Sequence, residues 1–95
     1  MCFFHSLYPS QYKDEVNRLT DELYQIGKAD DFLSVHPGGY FDQNCRHVRA
    51  REIGTRFMEI GGIPLMEKTV KKVSKKNGKD IGAHLESCWT RIGNF

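Results

Sequence analysis

Three things are scarce in this chain, and each scarcity narrows what it can be. Cysteine is the first: Cys2, Cys45 and Cys88 are the whole set, an odd number spaced 43 residues apart. A small secreted domain held by disulfides carries an even and denser set, so reduced thiols are expected here, in the cytoplasm or alternatively the nucleus. Long apolar runs are the second. No stretch reaches the roughly 18–20 apolar residues that cross a bilayer. The opening Met1-Cys2-Phe3-Phe4-His5-Ser6-Leu7-Tyr8-Pro9 is greasy but lacks the basic lead and length of a secretory signal. No membrane partner is expected. Motifs for covalent or phosphate chemistry are the third. The chain has no Cys-x-x-Cys, no Ser-centred elbow and no Walker-type phosphate loop. A non-catalytic protein without a cofactor is the expectation.

What is present has a globular balance. The 95 residues are 39% hydrophobic and 27% charged, with six Phe, four Tyr and one Trp. That composition is too apolar for a disordered tail and fits one domain over residues 1–95.

Helical periodicity supplies the elements. Ser10, after Pro9, can accept from the first free N–H groups of a helix. Tyr12, Val16, Leu19, Leu23 and Ile26 then fall on one face, and Gly27 suits the left-handed residue that ends a helix. Residues 28–43 lose the period. Asp30 to Val35 allows a short helical turn, and His36-Pro37-Gly38-Gly39 reads as loop. Asp42 or Asn44 caps a second helix with Cys45, Ala50, Ile53, Phe57 and Ile60 on its apolar side, stopped by Gly61-Gly62. Pro64 opens a third, with Leu65, Met66, Thr69, Val70 and Val73 inward and Asn77-Gly78 closing it. Asp80 caps a fourth, whose apolar positions are Ile81, Leu85, Cys88, Trp89 and Ile92. The fold class expected is all-α: a compact single domain of about four amphipathic helices, at roughly 10–27, 43–60, 64–77 and 80–92. The last two, joined by a few residues, should pack antiparallel.

One short stretch resembles a known site. Phe32-Leu33-Ser34-Val35-His36-Pro37-Gly38-Gly39 resembles the haem-ligand loop of the small microsomal b-type cytochromes. The resemblance covers these eight residues and implies His36 as an axial ligand of haem iron. That family supplies a second axial histidine where this chain has Ile60, and places β-strands before the loop where a helix is expected here. A turn shaped by Pro37 and the two glycines accounts for the same residues without haem.

Cys45, His47, His84 and Cys88 form the metal alternative. His84 and Cys88 are four apart on one helical face, which is ligand spacing, and Cys45 with His47 would complete a set from the second helix. Against this, Cys45 and Cys88 fall on apolar faces, where free cysteine behaves as a small hydrophobe. Burial beside Trp89 should also raise the Cys88 pKa, which disfavours a nucleophile.

Charge is divided unevenly. Residues 1–44 carry three basic and seven acidic side chains, whereas residues 45–95 carry eleven basic and five acidic. The halves can attract each other within the fold, or the basic half can meet a partner. Lys68, Lys71, Lys72 and Lys75 line the outer side of the third helix and are the candidate binding surface. The Gly61-Gly62 turn before them invites a helix-turn-helix reading, but the lysine helix offers no Arg, Asn or Gln set to read base edges. Phe3 and Phe4, ahead of the strict seam from Tyr12 to Ile26, are candidates for an aromatic interface. The expectation is therefore a small protein-interaction module that binds a protein partner or its own copy. A nucleic-acid-associated protein using the basic second and third helices is the alternative, and a metal or redox protein the next.

Overall fold

The structure, a computed structural model, describes residues 8–29, 32, 41–93 and 95, with the backbone alone for 41–45. Among the described residues it is all-α. A 3-10 turn at Ser10–Tyr12 leads into α1 (Lys13–Lys28), followed by α2 (Phe41–Asn77) and α3 (Lys79–Cys88).

Three helices stand where four were expected, and Gly62 is the reason. It alone within α2 leaves helical geometry, at φ 70° and ψ −162°. That region is open essentially to glycine only, so the chain turns there in a single residue. Helical geometry resumes at once, with Pro64 in the new arm's first turn, where its missing N–H removes no hydrogen bond. Residues 41–77 are thus one element with two arms. The other boundaries shift for local reasons. Ser10 joins the 3-10 turn and makes no side-chain cap, so α1 begins three residues later than expected. Gly27 does not end α1: it lies buried in the helix, and a Cβ there would sit 3.1–3.2 Å from Ile81 and Asn77. Close approach, not capping, is its use. Gly78, at φ 108°, occupies the cap position of α3, and Asp80 lies in the first turn, where a carboxylate suits the helix dipole. After Cys88 the backbone tightens to i→i+3 bonds, from the Ile92 N–H to the Trp89 carbonyl and from the Phe95 N–H to the Ile92 carbonyl. Arg91 and Gly93, at φ 74° and 58°, turn the chain so that the Phe95 ring meets that of Trp89.

One core joins all three helices. Val16, Leu19, Leu23 and Ile26 of α1 are buried together with Ala50, Ile53, Phe57, Leu65, Met66 and Val73 of α2, and with Leu85, Cys88, Trp89 and Ile92. Thr20 and Thr69 share this interior because each hydroxyl donates to a carbonyl one turn back, Val16 at 2.7 Å and Leu65 at 2.8 Å. Phe32 is fully buried too.

Trp89 is the centre of this packing. Its Nε1–H donates to the Ala50 carbonyl at 2.8 Å, and Phe57 and Phe95 meet it edge-on at 6.1 and 6.0 Å. The indole reaches the backbone of α2 only because position 54 is glycine. A Cβ there would lie 2.5 Å from Nε1.

Candidate functional site

Three arginines of α2, Arg49, Arg51 and Arg56, are occupied inside the fold. Arg49 and Arg56 stand seven residues apart on its first arm, and Glu22 and Glu15 seven apart on α1. Antiparallel packing aligns the two rows. Arg56 holds Glu15 through Nε at 2.6 Å and Nη2 at 3.1 Å. Arg49 holds Glu22 through Nε at 2.6 Å and Nη2 at 3.0 Å. Both are two-pronged guanidinium–carboxylate contacts, which fix register as well as attract. Hydrogen bonds from the arginines hold the Glu15 and Glu22 carboxyls below their ordinary pKa, and the same contacts raise Arg49 and Arg56. Glu59 and Glu52, each three residues on, add longer contacts at 3.3 and 3.4 Å. Arg51 turns the other way. Its Nη1 donates to the carbonyls of Cys88 at 2.6 Å and Thr90 at 3.3 Å, neutralising the end of α3. Part of the charge division between the halves is therefore spent on joining them.

Of the four Cys and His residues in the metal alternative, the structure brings two together. His47 Nδ1 lies 3.9 Å from Cys88 Sγ and 2.6 Å from the Phe32 carbonyl oxygen. A carbonyl only accepts, so Nδ1 carries the proton and donates. Burial pushes the Cys88 thiol up to about 11, with Arg51 opposing weakly. A protonated nitrogen facing a protonated thiol is not an activated nucleophile. The pair instead ties the buried Phe32 to α2 and α3. His84, on α3, lines a shallow cavity at that helix's first turn, and the Cys45 side chain is outside the described residues. Among the described residues no group of three or more His, Cys, Asp and Glu side chains is placed to hold a metal ion.

The lysine row has a different setting. Lys68, Lys71, Lys72 and Lys75 are all exposed on the second arm of α2. At 3.6 residues per turn they span an arc of about 100°, turned away from buried Met66, Thr69 and Val73. None of the four has an ion pair or hydrogen bond among the described residues. Lys76 continues the row and sets its ammonium 5.2 Å above the Tyr24 ring. There the row meets a groove of about 430 Å³ between the end of α1 and the α2–α3 turn, with Tyr24, Lys28, Lys76, Asn77 and Ile81 in its lining. No single helix encodes this groove, so periodicity does not reveal it.

Phe3, Phe4 and His36 of the haem-like loop lie outside the described residues. The seam of α1 is covered within the chain: Val16, Leu19, Leu23 and Ile26 are at most 5% exposed. Two arms of α2 plus α3 supply enough apolar surface to close over it. No helix among the described residues is long and apolar enough to cross a membrane. No protein-family model matches the chain, and neither a curated protein nor a solved structure matches it.

Proposed function

We propose that this chain is a non-catalytic helical module that binds another protein, with the lysine row of α2 as its contact surface. One observation carries the reading: Lys68, Lys71, Lys72 and Lys75 stand exposed and unpaired, while Arg49, Arg51 and Arg56 are consumed by contacts inside the fold. The densest run of exposed positive charge left for a partner is lysine on one side of one helix, so the partner presents carboxylates. With the α1 seam already covered, a different protein is favoured over a second copy. Its setting in this reading is the cytoplasm or nucleus, where thiols stay reduced.

Nucleic acid is the competing occupant of a lysine row, and direct comparison of the ligands separates the two. Phosphate contacts cost roughly 0.7–0.9 log units of affinity per log unit of salt for each contact. The test is fluorescence anisotropy of the full chain against a labelled glutamate-rich peptide, duplex DNA and single-stranded RNA. The peptide should bind in low salt, and Lys71→Glu with Lys75→Glu should abolish binding while the circular dichroism spectrum is unchanged. Tighter binding of DNA or RNA than of the peptide would reverse the assignment. Exposed ion pairs contribute about 0.2–1 kcal/mol each, so four lysines alone reach only about millimolar affinity. A specific partner needs an apolar anchor as well.

A further inference from the structure

We infer that the groove between the last turn of α1 and the α2–α3 turn receives that anchor, a single large apolar side chain within an acidic segment of the partner. The inference rests on the reading of the lysine row as a protein-binding surface. At about 430 Å³ the groove falls within the range of ligand clefts, roughly 300–1,000 Å³. Half-buried Tyr24 and Ile81 give it apolar walls from two helices, α1 and α3. Lys28 and Lys76 stand among its lining residues, on α1 and α2, and among the described residues no acidic one does. The comparable cavity at the start of α3 includes Asp80, which disfavours the same segment.

Continuity sets the arrangement of the bound segment. Lys76 belongs both to the groove and to the row that runs back through Lys75, Lys72, Lys71 and Lys68. A carboxylate beside the anchor meets Lys76 on one flank and Lys28 on the other, and further carboxylates follow the row. When the Lys76 ammonium, 5.2 Å above the Tyr24 ring, swings outward to pair with a carboxylate, it leaves the ring face to the anchor. Tyr24 thereby serves as an aromatic anchor site of the kind that concentrates binding energy.

The probe is a fluorescein-labelled peptide with one leucine flanked on each side by glutamates, compared with the same peptide carrying serine in place of leucine. Against the full chain, the serine peptide should bind about tenfold more weakly or worse, the value of one buried leucine. Lys28→Glu should weaken the leucine peptide, and Tyr24→Ala should erase the difference between the two. Equal binding of both peptides, still abolished by Lys71→Glu with Lys75→Glu, overturns the groove and leaves the lysine row standing. Failure of both peptides to bind in low salt overturns the row and the groove together. Because Lys28 is exposed, its variant tests the groove even if Tyr24→Ala fails to fold.

Discussion

Replacing Gly54 with alanine sets two opposed effects against each other at one atom. Alanine favours a helix interior over glycine by about 1 kcal/mol, so on propensity alone the variant gains stability. The added Cβ, however, lies 2.5 Å from Trp89 Nε1, 2.7 Å from Cδ1 and 2.8 Å from Cε2. Those are ring atoms of a fully buried indole held between Phe57 and Phe95, so no flexible side-chain end can yield. The ring must move, which overpacks its surroundings at about 1–3 kcal/mol. Moving it also stretches the 2.8 Å hydrogen bond to Ala50, worth about 1 kcal/mol and more if the indole N–H is left unpaired. Sterics win, with a net loss of about 1–3 kcal/mol. For a domain of this size that lowers the melting temperature by roughly 5–20 °C. Urea denaturation followed by Trp89 fluorescence measures it directly, and the native emission should shift to the red as the ring loses its packing. A Gly54→Ala variant as stable as the parent, with unchanged emission, would falsify the account of Trp89 seated on the α2 backbone.

Acid should loosen the α1–α2 pairing. Because the Glu15 and Glu22 carboxyls titrate below 4.5 in the folded chain, their contribution is complete above the unfolded value and disappears as pH falls through the lowered one. Melting temperatures between pH 6 and pH 2 should show that decline, and Glu15→Gln with Glu22→Gln should flatten it. Cys88, buried and with its thiol near 11, should resist iodoacetamide at neutral pH in the native protein and react once denaturant is added, as read by peptide mapping. Arg51→Met should destabilise by about 1–2 kcal/mol, since the Cys88 carbonyl loses a charged donor at 2.6 Å, and urea midpoints check this.

The all-α class and much of the interior were legible in the spacing of apolar residues. Val16 through Ile26, Ile53, Phe57, Leu65, Val73, Leu85 and Trp89 are buried where a 3.6-residue period places them. Periodicity is a property of one helix, and what it omits belongs to pairs. Gly27 looks like a terminator because glycine commonly ends helices, yet here it makes room for Asn77 and Ile81, fifty or more residues away. Gly54 carries no hydrophobic signal, although Trp89 depends on it. The charge division between the halves was visible, but the pairing of Glu15 with Arg56 and Glu22 with Arg49 requires the antiparallel register. Lys68, Lys71, Lys72 and Lys75 are exposed as their spacing foretold, whereas the groove at their end exists only once α1 and α3 close on α2.

The place of Trp89 along the chain also orders events at the ribosome. α1 and the first arm of α2 can pair as soon as both are synthesised, since the arginine and glutamate forks lie entirely between them. The notch over Gly54 and the ring face of Phe57 must then wait, uncovered, until α3 and the turn after it have left the exit tunnel. A nascent chain halted ahead of Trp89 would present that unfilled apolar surface to whatever binds such surfaces first, a chaperone or another unfinished copy. Interruption after α2 but before Trp89 is therefore the point at which this fold is most exposed to misassembly.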